Sequence, residues 1–133
     1  MNPPFINNIN KKISDNVDVI ADIDTYFMED AEVAIVAYGS VVRPAINAVK
    51  KARKVEDDRV TTKFKILKDI FVKGIPETFE TDYSHLKVGL VKVNTVWPCP
   101  EELLKEATKD AKIVIVPEMN VGKYVHEVER VLK

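Results

Sequence analysis

Residues 32–40 read Glu32-Val33-Ala34-Ile35-Val36-Ala37-Tyr38-Gly39-Ser40, and this stretch decides the fold. Five consecutive apolar residues leave no polar face, so a strand built from them must be covered on both sides, as strands of a parallel sheet are. The run stops at Gly39-Ser40, and the next apolar positions, Val42, Ala45, Ile46, Val49 and Ala52, fall at spacings of three and four. That spacing predicts an amphipathic helix, whose basic end at Lys50, Lys51, Arg53 and Lys54 complements the helix dipole. Pro44 would clash one turn into a helix capped by Ser40, so the helix is expected to start at Arg43 or Pro44.

The same unit recurs downstream. Val88 to Val93 reads as a second buried strand, followed by Trp97-Pro98-Cys99-Pro100 and a helix with Glu101 and Glu102 in its first turn after Pro100. Ile113 to Val116 reads as a third buried strand. A last helix carries Val121, Val125, Val128 and Leu132 on one stripe. Three strand–helix units in succession predict a three-layer, doubly wound α/β fold with a mainly parallel sheet. The strand exits at Gly39, Asn94 and Glu118 then share one sheet edge, where such folds place their functional loops.

Upstream, Ile6, Ile9, Ile13, Val17 and Ile20 predict one amphipathic helix after Pro3 and Pro4, and Asp22 to Asp30 reads as a connecting segment. Residues 1–30 are therefore expected to be a linker helix and its connection, and residues 31–133 the α/β domain. Helix-to-strand connections in such units take about two to six residues, so the stretch at 55–87 is an unusual insertion. Val60, Thr62, Phe64 and Ile66 alternate as a strand would, whereas Phe64, Leu67 and Phe71 suit a helix. Both readings stay open, with an edge strand near Lys63 to Leu67 packed on the sheet as the expectation.

Composition narrows the function. Twenty Lys and Arg against 21 Asp and Glu leave a net charge of -1 over 133 residues, which offers no broad attraction to nucleic acid or anionic lipid. No apolar run approaches the length needed to span a bilayer, and the N-terminus lacks a signal pattern, so a cytoplasmic location is expected. Cys99, the single cysteine, can form neither an internal disulfide nor a structural zinc site.

Short enzymatic signatures are missing: there is no G-x-G-x-x-G after a strand, no Walker loop, no H-E-x-x-H and no serine nucleophile elbow. A phosphate-accepting receiver domain needs acids at its strand ends, and the first exit instead carries Tyr38, Gly39 and Ser40. Gly39-Ser40 could approach a small anion at a helix start, or form a tight turn with a serine cap, which is the reading preferred. Trp97 in its proline-flanked loop is read as a packing anchor against another domain or the core. His126 has no second base or ligand near it in sequence. Glu118 and Asn120 are the most suggestive polar pair, and they could equally satisfy loop backbone groups.

Taken together, Ala37-Tyr38-Gly39-Ser40-Val41, Thr95-Val96-Trp97-Pro98-Cys99-Pro100-Glu101 and Glu118-Met119-Asn120-Val121-Gly122 closely resemble the 2-oxoacid:ferredoxin oxidoreductase alpha subunit. The resemblance is to its C-terminal domain, which is similar to the C-terminal domain of transketolases, and it covers about Asp22 to Arg53 and Val88 to Leu132. It implies a complex that oxidatively decarboxylates a 2-oxo acid, passes the acyl group to coenzyme A and reduces ferredoxin. It further implies that thiamine diphosphate, magnesium and iron–sulfur clusters are held by other domains or subunits, with none in this chain. The domain's role would be assembly. Its interface would be the strand-exit loops, with Tyr38, Gly39, Ser40, Asn94, Thr95, Trp97, Pro98, Glu118, Asn120 and Gly122, and no catalytic or metal-binding residue. The competing expectation is a free-standing, non-enzymatic module that binds a small anion or regulatory partner at the Gly39-Ser40 sheet edge.

Overall fold

The computed structural model describes residues 3–53 and 86–133, so the expectations for the 55–87 insertion lie outside the described residues. Strands β1 (Ile23–Tyr26), β2 (Val33–Ala37), β3 (Val88–Val93) and β4 (Ile113–Ile115) form one sheet in the order β1-β3-β2-β4. β2 runs parallel to both β3 and β4, and β1 pairs antiparallel with β3. Helices α1 (Pro4–Ser14) and α2 (Val17–Ile20) precede the sheet, α3 (Val42–Ala52) follows β2, α4 (Glu101–Thr108) follows β3, and α5 (Lys123–Leu132) follows β4.

The apolar run of β2 is covered on both sides, as its composition requires. Ala37 packs with Ala45 and Val49 of α3 and with Val88 and Leu90 of β3. Val36 faces the other way and joins Val91, Val93, Leu104 of α4 and Tyr124, Val128 and Val131 of α5. The sheet is thus sandwiched between α3 on one face and α4 with α5 on the other, the three-layer α/β arrangement expected.

Four local expectations are corrected. Asp22 to Asp30 is more than a connection, because β1 lies within it and adds an antiparallel edge strand. Asp24 and Thr25 hid it: an edge strand need not be apolar throughout. The N-terminal helix breaks at Asp15 and Asn16, where Asn16 Nδ2 donates to the Lys12 carbonyl at 2.7 Å and Ser14 Oγ to that of Asn10 at 2.9 Å. Side chains of this type compete with the backbone for helix carbonyls. α3 starts at Val42, after a 3-10 turn at Gly39–Val41, and no side chain caps either element. Pro44 is tolerated because it falls in the first turn, where its missing N–H has no helical partner to lose.

The fourth concerns β4 and α5. β4 is not buried, since it sits at the sheet edge with Ile113 56% and Ile115 47% exposed. α5 begins two residues later than its stripe suggested, leaving Val121 98% exposed, and it buries Tyr124, Val128 and Val131 instead.

Two residues fix the β1–β2 connection. Gly89 lies against it so closely that an added Cβ would meet the Phe27 carbonyl oxygen at 2.7 Å and the Met28 sulfur. Arg53 clamps the same turn: its Nε donates to the Val88 carbonyl at 2.6 Å, and its Nη2 to the Phe27 carbonyl at 3.0 Å and to Asp30 at 2.6 Å. Phe27 has a φ of 56°, an unfavourable value for a side chain of its size, and the guanidinium lies 5.4 Å from its ring centroid.

Candidate functional site

The parallel strands deliver their exits to one end of the sheet, and β2 and β4 bring theirs into contact. Tyr38, directly after β2, donates its hydroxyl to Glu118 Oε1 at 3.4 Å and accepts from Asn120 Nδ2 at 3.2 Å. Ser40 Oγ lies 3.6 Å from the Met119 sulfur. Gly39, with a φ of 63°, turns the chain into the 3-10 segment, where a Cβ would be strained by the backbone and not by crowding.

Glu118 does structural work at this junction. Its two carboxylate oxygens accept the backbone N–H groups of Tyr124 at 2.6 Å and Val125 at 3.0 Å, which closes the open N-terminus of α5. Gly122, at φ 58°, supplies the left-handed bend that brings the helix start round to this carboxylate. A bound anion at that helix end would compete with a carboxylate already in place.

Beneath the polar rim, Tyr38 and Tyr124 meet edge to face with ring centroids 5.0 Å apart. The Tyr124 hydroxyl lies 3.9 Å from Cys99 Sγ. Burial pushes the Tyr124 phenol well above its ordinary range and, as the largest influence, also raises the Cys99 thiol. Both groups are therefore held neutral at physiological pH, the opposite of an activated nucleophile.

The β3 exit turns away from this cluster. Asn94 Nδ2 donates to Asp22 at 2.8 Å and Asp24 at 3.0 Å, and Thr95 Oγ1 to the Ile20 carbonyl at 2.9 Å, so both tie β3 to the entry of β1. Trp97 and Pro98, joined by a cis peptide bond, form a wall of a groove shared with α1 and α2. Trp97 is 67% exposed and is no anchor in the core. Sequence reasoning grouped all three exits, whereas the recorded contacts join Tyr38, Ser40, Glu118 and Asn120 and direct Asn94, Thr95 and Trp97 elsewhere. It missed Arg53, Gly89 and Tyr124. A glycine inside an apolar strand was the available signal for the close approach at Gly89.

His126 is exposed, 3.9 Å from Glu129 on the same helix. Among the described residues no three His, Cys, Asp or Glu side chains are grouped to hold a metal ion. The chain's single cysteine does not fit an iron–sulfur cluster, which takes several thiolates. No helix among the described residues is long and apolar enough to cross a membrane.

An α/β domain with a tied-down sheet edge and, among the described residues, no assembled reactive group is the class that fold and site define. Comparison with known proteins narrows it. Residues 81–133 match the pyruvate:ferredoxin oxidoreductase core domain II family. The chain is 29% identical over 120 residues to the 2-oxoglutarate synthase subunit KorA of Methanothermobacter marburgensis, covering 90% of this chain and 24% of that protein. It is 28% identical to the Methanothermobacter thermautotrophicus KorA over 134 residues, 98% of this chain and 28% of the relative. Against KorA of Methanocaldococcus jannaschii it is 36% identical over 104 residues, 78% of this chain and 20% of the relative. These similarities support a relationship to subunits of 2-oxoacid:ferredoxin oxidoreductases. The chain spans between a fifth and a third of the length of these curated relatives.

Proposed function

We propose that this chain is the non-catalytic assembly domain, C-terminal and transketolase-like, of the alpha subunit of a 2-oxoacid:ferredoxin oxidoreductase. The complex converts a 2-oxo acid and coenzyme A to acyl-CoA and CO2 and passes the electrons to ferredoxin. Thiamine diphosphate with magnesium and the iron–sulfur clusters belong to the remaining domains and subunits, and a cytoplasmic location goes with this reading. The curated relatives make 2-oxoglutarate the first substrate to test.

The observation that carries the proposal is the alignment with KorA over 90% of this chain. The condition of the strand-exit residues adds to it: Glu118 is committed to the α5 backbone, and Asn94 to Asp22 and Asp24. Residues so engaged position loops, and among the described residues none beside them supplies an acid–base pair. The competing anion-binding reading is disfavoured, because the Glu118 carboxylate, 3.4 Å from the Tyr38 hydroxyl, puts negative charge at the edge that an anion would enter.

Copurification tests the assignment. The tagged full-length native protein should bring down partner subunits, and the complex should oxidise a 2-oxo acid with coenzyme A and ferredoxin, while the pure chain given the same cofactors shows no turnover. Recovery of the protein alone, or turnover by the chain alone, would overturn it.

A further inference from the structure

We propose that the groove between α1–α2 on one side and the Trp97–Pro100 loop with the first turn of α4 on the other is a docking site for a segment of a partner polypeptide that carries apolar anchors flanked by lysine or arginine. Its walls are apolar: Ile13 and Val17 on the α1–α2 side, and Trp97 and Pro98 of the loop with Leu103 of α4 on the other. α1 buries none of its residues, and Phe5 and Ile9 extend the same exposed apolar stripe beyond the groove. A surface of that kind marks an interaction site more often than a free face.

Charge selects the occupant. Four carboxylates, of Asp18, Glu101, Glu102 and Glu127, line the groove against one guanidinium, of Arg130. Arg130 is shared between Glu101 at 2.6 Å and Glu127 at 3.1 Å, and Glu102 reaches Lys105 at 3.0 Å. An apolar trough with a net negative rim favours an amphipathic segment with basic flanks and repels an acidic one. The remaining length of the KorA relatives, most of each chain, is one source of such a segment. The identity of the partner rests on the proposed function; the chemistry of the groove does not.

Trp97 is the only tryptophan, so its emission reports occupancy directly. The full chain is titrated with a helical amphipathic peptide of leucine and lysine, and with the matching peptide of leucine and glutamate. The lysine peptide should shift Trp97 emission to the blue in a salt-sensitive manner, and the glutamate peptide should not. Reversing Asp18 and Glu102 together to lysine, both exposed side chains, should weaken the lysine peptide about tenfold at low salt. Reversing Glu29 and Asp110, which lie away from the groove, should leave it unchanged. An unshifted Trp97, equal binding of both peptides, or equal loss in the two variants would overturn the proposal. A concentration-dependent blue shift of the chain alone would assign the groove to a second copy and overturn it as well. Failure of copurification leaves these outcomes intact, so the two proposals fail separately.

Discussion

The Glu118 carboxylate accepts the backbone N–H of Tyr124 at 2.6 Å, so a residue at the exit of one strand sets the start of the last helix. Four residues of loop, Met119 to Gly122, are closed by this one side chain. Glu118→Ala should lower stability by about 1–2 kcal/mol, the usual loss for a removed cap. Glu118→Gln, which keeps an acceptor oxygen, should recover part of it. Urea denaturation checks this, and an unchanged midpoint in the alanine variant would show that α5 needs no such support.

Gly89 is the position least able to change. The space a Cβ needs is already taken by the Phe27 carbonyl and the Met28 side chain. Gly89→Ala should destabilise by about 1–3 kcal/mol, the range for overpacking, by pushing the β1–β2 connection off the sheet. Gly39→Ala is the instructive contrast, since open space surrounds that site and only its positive φ opposes the substitution. Its cost should be about 1 kcal/mol. Thermal unfolding of both variants distinguishes crowding from backbone strain.

Arg53 holds Asp30 ionised. The guanidinium hydrogen bond at 2.6 Å lowers the Asp30 carboxyl below its ordinary value, so the folded state keeps it charged at a pH where the unfolded chain begins to take up a proton. The stabilisation is present above the unfolded value, about pH 4, and is lost as pH falls through the folded value. Asp30→Asn should therefore flatten the fall of stability with pH below about 5. Asp24, Glu32, Glu101 and Glu129, lowered through Asn94 with Lys92, through Lys112, through Arg130 and through Lys133, should leave their own part of that acid dependence in place. Unfolding midpoints measured across this pH range decide it, and an Asp30→Asn slope equal to that of the parent would refute the assignment.

The layered fold was legible because the β2 run is apolar without interruption and that of β3 is broken only at Lys92, a pattern that two-sided burial explains. β1 escaped notice because Asp24 and Thr25 face solvent at a sheet edge, and four residues are too few for alternation to stand out. The burial of Tyr124 was missed for a different reason. The apolar stripe of α5 looked complete with Val121, whose place depends on where Glu118 starts the helix, and that is a contact between residues brought together by the loop. At the candidate site, proximity of the exits followed from strand direction. Which exits touch did not, because Asn94 and Thr95 are drawn to Asp22 and Ile20 by hydrogen bonds that no spacing records.

Tyr38 separates the structural from the assembly role of the sheet edge. Its ring packs edge to face on Tyr124, and its hydroxyl, bonded to Glu118 and Asn120, is the polar part at the rim. Tyr38→Ala removes both, and the loss of buried ring contact should cost about 2–4 kcal/mol, so weakened assembly in that variant alone would be ambiguous. Tyr38→Phe keeps the ring and removes only the hydroxyl, whose bonds at 3.4 and 3.2 Å are long and partly open to water. Its stability should change by less than about 1 kcal/mol. If this edge is an assembly surface, Tyr38→Phe should copurify with less of the partner subunits while the complex that does form turns over at the parental rate. Intact assembly with turnover reduced by orders of magnitude would instead place the Tyr38 hydroxyl in the chemistry.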